Sequence, residues 1–166
     1  MNNNDIFRRI RFTFELSDKK VKEIFAMAGL SVTEVQVKNW LRKDEEPEHQ
    51  NLKNDQLSSF LDGFIIDKRG KKEDAKPAPV VELNNNVIFR KLRIALNLDE
   101  QSILDLFDLV HMKISKHELS SFFRNPKQPQ YRACQDQYLR NFLHGLQVKH
   151  RPDKVVVKTR LTKKSS

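Results

Sequence analysis

The phrase NNNDIFRRIRFTFEL, beginning at Asn2, returns at Asn84 as NNNVIFRKLRIALNL, and the offset of 82 residues then holds without a gap to the end of both copies. Asn2, Asn3 and Asn4 fall on Asn84, Asn85 and Asn86, and Ile6, Phe7, Arg8 and Arg11 fall on Ile88, Phe89, Arg90 and Arg93. Further along, Leu16 meets Leu98, Phe25 meets Phe107, Arg42 meets Arg124 and Pro47 meets Pro129. Phe60, Leu61, Gly63 and Arg69 meet Phe142, Leu143, Gly145 and Arg151. Matches of this kind in a single register mark an internal duplication. Whatever the first copy folds into, the second must fold into as well. Units this small bury little surface alone, so the two are expected to share a core.

Each copy reads as four helices. Ile6, Phe7, Ile10 and Phe14 recur at helical spacing, as do Ile88, Phe89, Leu92 and Leu96. An asparagine side chain accepts from the free amides of a first helical turn, so each triplet is a natural helix start. One asparagine suffices for a cap; the other two are either spare or bond across to the partner copy. Ser17 can cap a second helix in which Val21, Ile24, Phe25 and Ala28 face inward before Gly29 ends it, with Ile103, Leu106, Phe107 and Val110 as counterparts. A third helix starting at Thr33 presents Val37, Trp40 and Leu41, matched by Leu119, Phe122 and Phe123. A fourth presents Leu57, Phe60, Leu61 and Phe64, matched by Leu139, Phe142, Leu143 and Leu146. The expected fold is all-α: two tandem, pseudo-symmetric four-helix repeats packed together. Repeat 1 is expected over 1–69 and repeat 2 over 84–151. A linker over 70–83, rich in Lys, Glu, Ala and Pro, joins them. Residues 152–166 are expected to form a mobile basic tail, in which VVVKTRL is the only stretch that alternates like a strand.

Several function classes find little support. Gly29, Gly63, Gly70 and Gly145 are scattered, whereas a nucleotide loop needs clustered glycines for close approach to phosphate. His49, His111, His117, His144 and His150 include no pair four apart, and Cys134 is the sole cysteine, so neither a zinc site nor a disulfide is expected. The acidic run Asp44, Glu45, Glu46 and Glu48 reads as a solvated loop more readily than as a cation site. With no nucleophile elbow or Cys and His pairing visible, no enzyme and no cofactor are expected. No apolar run is long enough to span a bilayer and the N-terminus lacks a signal-peptide layout, so a cytoplasmic protein with no membrane partner is expected.

Binding has better material. The net charge is +9, and Lys149, Arg151, Lys154, Lys158, Arg160, Lys163 and Lys164 against Asp153 place about six of those charges at the C-terminal end. The segment from Gly29 into the third helix resembles a helix-turn-helix, with Gln36, Lys38, Asn39, Arg42 and Lys43 turned outward, although a simple helical hairpin accounts for it equally well. Arg8 with Arg11, and Arg90 with Arg93, are three apart and share a helix face. Two such faces would grip two phosphates; alternatively each arginine pairs with a carboxylate such as Asp62 or Asp136 at the junction of the copies. The resulting nucleic-acid interface comprises Arg8, Arg11, Lys38, Asn39, Arg42, Lys43, Arg90, Arg93, Lys158, Arg160, Lys163 and Lys164. The competing expectation is a protein-interaction module that receives a partner in the groove between repeats.

The phrases LSSFLDGFIIDKRG, NNNVIFRKLRIALNL and CQDQYLRNFLHGL resemble the bacterial YehS family, whose members carry a duplicated domain of unknown function. The similarity covers about residues 1 to 150 and excludes the tail beyond Pro152. It implies a small cytosolic protein with two copies of a helical domain, and brings no catalytic residue with it.

Overall fold

A computed structural model describes residues 1–71 and 82–153; the expected linker between the repeats and the expected tail fall mostly outside the described residues. The first repeat contains α1 (Asn3–Thr13), α2 (Asp18–Met27), α3 (Glu34–Leu41) and α4 (Asn54–Arg69). The second contains α5 (Asn85–Ala95), α6 (Glu100–Leu109), α7 (Lys116–Ser121) and α8 (Asp136–His150). No strand occurs among the described residues. The chain is all-helical and duplicated.

Local chemistry fixes the helix starts. Asn2 and Asn84 accept from the amides of Asp5 and Val87, Ser17 from Lys20, Thr33 from Gln36, Asp99 from Ser102 and Ser115 from Glu118. In α1 and α3 the side chains of Asp5 and Gln36 return the bond to the cap residue's own amide. The turn after α2 ends on Gly29 at φ 82°, a left-handed conformation that glycine adopts without strain. His111 holds the same turn after α6 at φ 58°.

Each repeat closes over an aromatic core. Phe7 meets Trp40 edge-on at 6.2 Å and Phe60 at 4.9 Å, while Phe25 lies 5.4 Å from Trp40, all fully or almost fully buried. The second core repeats the theme with Phe89 stacked 4.3 Å from Phe142 and Phe122 at the tryptophan position. Helices α2 and α4 approach so closely that a Cβ on Gly63 would stand 1.9 Å from the carbonyl oxygen of Ile24. A Cβ on Gly145 would stand 2.4 Å from that of Leu106 where α6 meets α8. This closeness explains why glycine is present in both copies.

The two remaining asparagines of each triplet are neither spare nor bonded across repeats, which corrects both expectations. Buried Asn4 donates to the carbonyls of Trp40 and Gln50, at 2.9 and 2.8 Å, and accepts from the Leu52 amide at 3.0 Å. Asn86 does the same to Phe122, Arg132 and Cys134, at 3.1, 2.9 and 2.9 Å. Asn3 reaches the Leu52 carbonyl and the Asn54 side chain, and Asn85 reaches the Cys134 carbonyl and Asp136. One side chain thus satisfies three backbone groups of an irregular loop that would otherwise lack partners in the interior. The triplet starts a helix and clamps the loop between the third and fourth helices. Cys134 sits in this clamp, and burial pushes its thiol up to about 12.

The repeats join through two seams, α1 against α8 and α4 against α5, the pairing that exchange of the copies by a two-fold operation produces. Lys91 bonds Asp62 across the α4–α5 seam. Across the other, Arg151 donates to the Phe12 carbonyl at 2.7 Å and stacks over its ring at 4.5 Å.

Candidate nucleic-acid interface

The clamped loops carry the charge that distinguishes the repeats. In the first, residues 44–50 read DEEPEHQ; at the same offset in the second, residues 126–132 read PKQPQYR. Four carboxylates have become none, and two bases have appeared. Over 3–70 twelve Lys and Arg stand against twelve Asp and Glu, whereas over 85–151 eleven stand against six. The first repeat is neutral and the second is basic.

In the first repeat Arg8, Arg11 and Arg42 are occupied by neighbours. Arg8 donates to Asp5 at 2.6 Å and to the Arg42 carbonyl at 2.8 Å, and lies 3.9 Å from Asp44. Burial works to raise the Asp5 carboxyl, but the bonds from Arg8 and the Asn2 amide hold it below its ordinary value. Arg11 faces Asp18 at 3.7 Å. Arg42 donates to Asn39 and to Glu46, each at 3.1 Å, and this bond holds Glu46 low. Asp62 and Asp136, the junction carboxylates considered as partners for the arginines, instead meet Lys91 and the Met1 amino group.

The helix-turn-helix surface is occupied in part. Gln36 is used in the α3 cap and Asn39 holds Arg42, which lies just past the end of the helix. Lys38 and Lys43 remain exposed. Three of the five outward side chains, Gln36, Asn39 and Arg42, therefore bond within the first repeat itself.

The second repeat keeps the arginines and, apart from Glu100 at the Asp18 position, lacks the acids that pair them. Val87 stands where Asp5 does, Pro126 for Asp44 and Gln128 for Glu46. Half-buried Arg90 and exposed Arg124 and Lys127 have no carboxylate partner among the described residues, and Arg132 donates only to the carbonyls of Pro129 and Tyr131. Arg93 is turned aside: its Nε donates to the Leu98 carbonyl and its guanidinium stacks 4.6 Å from the Phe123 ring. Lys158, Arg160, Lys163 and Lys164 lie outside the described residues.

Lys127 and Arg132 escaped the reading of single helix faces because they sit in a loop. The signal that exposes them is the alignment of that loop with its acidic counterpart at the repeat offset. No group of three or more His, Cys, Asp or Glu among the described residues is arranged to hold a metal ion, and no helix there is long and apolar enough to cross a membrane.

Comparison with known proteins agrees with the duplication. A family model described as "Protein of unknown function (DUF1456)" matches twice, over residues 3–70 and 85–151. The chain is 38% identical over 148 residues to the uncharacterized protein YehS of Escherichia coli (strain K12), an alignment covering 88% of this chain and 94% of that protein. No solved structure matches.

Proposed function

This chain belongs to the DUF1456 family, and from that premise we propose that it binds nucleic acid through the basic loop of its second repeat. The observation that carries the reading is the exchange of the acidic loop at 44–50 for the basic loop at 126–132 on the same clamp. A guanidinium already paired with a carboxylate gains little from a phosphate. One left facing water exchanges loosely held counterions for phosphate oxygens, and their release drives association. Arg90, Arg124, Lys127 and Arg132 are such groups, while Arg8 and Arg42 are not. The basic residues beyond Pro152 follow directly on the second repeat in sequence and add to the net positive charge of the C-terminal half of the sequence. Backbone contacts of this kind favour phosphate recognition without base selection.

The test is a polarisation titration of the full chain with labelled single-stranded and duplex oligonucleotides at several salt concentrations. Joint substitution of Arg124, Lys127 and Arg132 by Ser removes three phosphate contacts, and should reduce the slope of log affinity against log salt by about 2.7 on duplex. The same substitution of Lys38 and Lys43 should leave that slope nearly unchanged. Equal loss from both sets, or no salt-dependent binding by the full chain, overturns the proposal. Binding of a protein in the groove between repeats would then be the reading to pursue.

A further inference from the structure

The α1–α8 seam holds a cavity of about 420 Å³ lined by Met1, Asp5, Arg8, Arg9 and Arg140. Two of its guanidinium groups come from the first repeat and one from the second. Arg8 is fixed by Asp5 at 2.6 Å and by the Arg42 carbonyl at 2.8 Å. Half-buried Arg9 and exposed Arg140 make no hydrogen bond or ion pair among the described residues. Asp136, one turn before Arg140 on α8, is engaged by Asn85 at 2.7 Å and by the Met1 amino group at 3.3 Å. Asp5 therefore offsets Arg8; Asn85 and the Met1 amino group, and to a lesser degree the charge of Arg140, hold the Asp136 carboxyl low, and neither Arg9 nor Arg140 has a bonded counter-charge.

The opposite seam leaves fewer such charges. At the equivalent points between α4 and α5, Lys91 takes the place of Arg9, Ser58 that of Arg140, and Asp62 that of His144. Lys91 and Asp62 bond, which leaves Arg90, the counterpart of Arg8, as the guanidinium there without a carboxylate partner. Between α1 and α8 the carboxylate has become an imidazole and the serine an arginine. Asp5 and Asp136 here stand for Val87 and Asn54 there, so the two seams differ in how their bases are paired.

We propose that the α1–α8 seam binds a phosphate group, as inorganic phosphate or as the phosphate of a monoester. A phosphate carries between one and two negative charges near neutral pH and presents three or more acceptor oxygens, which suits two planar guanidinium forks better than a single carboxylate would. The volume is within the range of small-molecule sites. Arg124, Lys127 and Arg132 do not line this cavity, so the pocket stands apart from the second-repeat loop and from the nucleic-acid reading.

Isothermal titration of the full chain at constant ionic strength tests it, with inorganic phosphate, a nucleoside 5′-monophosphate and the unphosphorylated nucleoside as probes. Saturable one-to-one binding of the two phosphorylated probes is expected, with none for the nucleoside. Equal affinities assign the site to phosphate itself, and tighter monoester binding assigns it to an ester. Arg140→Ser, at an exposed position, should weaken binding at least tenfold. Arg140→Ser with His144→Asp places here the serine and carboxylate of the opposite seam and should abolish binding, with helical content unchanged by circular dichroism. Arg124→Ser with Arg132→Ser should leave it intact. Absence of saturable binding, unchanged binding in Arg140→Ser, or nucleoside binding as tight as its monophosphate overturns the proposal.

Discussion

The loop between α3 and α4 and the loop between α7 and α8 hang from the same three hydrogen bonds and differ in nearly every side chain that faces water. Asn4 and Asn86 make the same contacts at partners 36, 46 and 48 residues away, while DEEPEHQ has become PKQPQYR. A buried side chain bonded to backbone has no substitute of equal shape and donor pattern. An exposed loop side chain can change its charge with little effect on the fold. The duplication therefore preserved a scaffold and left its electrostatics open to divergence.

The comparison can be broken most forcefully at the cores. Trp40 is 2% exposed and Phe122, its counterpart, 4%. Truncation of Trp40 to Ala should destabilise the protein by about 3 to 5 kcal/mol, read from urea unfolding. Trp40→Phe should be much milder, because the second repeat already closes around a phenylalanine. An unchanged unfolding midpoint for Trp40→Ala would contradict the packing.

Next in size is the clamp. Asn4→Ala leaves two carbonyls and one amide without their partner, and should cost about 3 kcal/mol; Asn86→Ala should cost about the same. Asn2→Ala removes only a helix cap and should cost about 1 kcal/mol. Equal losses at Asn2 and Asn4 would show that the triplet acts only as a helix start.

How much of this was legible in sequence follows from the range of each interaction. The eight helices were visible because apolar spacing and capping chemistry act within a few residues. The third helix of each copy nevertheless ends early: Phe122 and Phe123 lie past α7, and Arg42 lies past α3. Tertiary packing, not helical period, holds them. Asn2 and Asn84 were readable as caps, whereas the roles of Asn4 and Asn86 depend on backbone groups dozens of residues away. The arginine faces were visible, but the identities of their partners were not. Asp44 reaches Arg8 only because the clamp folds the loop back over α1, whereas Asp5 meets it one turn away on the same helix.

The smallest expected effect sharpens the comparison at the turn after the second helix. His111 occupies at φ 58° the left-handed conformation that Gly29 occupies at φ 82°. His111→Gly should stabilise by roughly 0.5 to 1 kcal/mol, since relief of strain exceeds the added freedom of the unfolded chain. Gly29→Ala should destabilise by about 1 kcal/mol, from backbone strain alone, because a Cβ there meets nothing within 4 Å. Thermal unfolding resolves both, and a destabilised His111→Gly would indicate that the imidazole makes a compensating contact.

The central claim is that one clamped scaffold presents an acidic loop in the first repeat and a basic loop, proposed to bind phosphate, in the second. Amide chemical-shift mapping of the ¹⁵N-labelled full chain, titrated with a short oligonucleotide at low salt, tests it most directly. The account predicts saturable shifts concentrated over residues 124–132, with little change over the equivalent residues 42–50. Shifts of equal size in both loops, or larger shifts in the first, would contradict it.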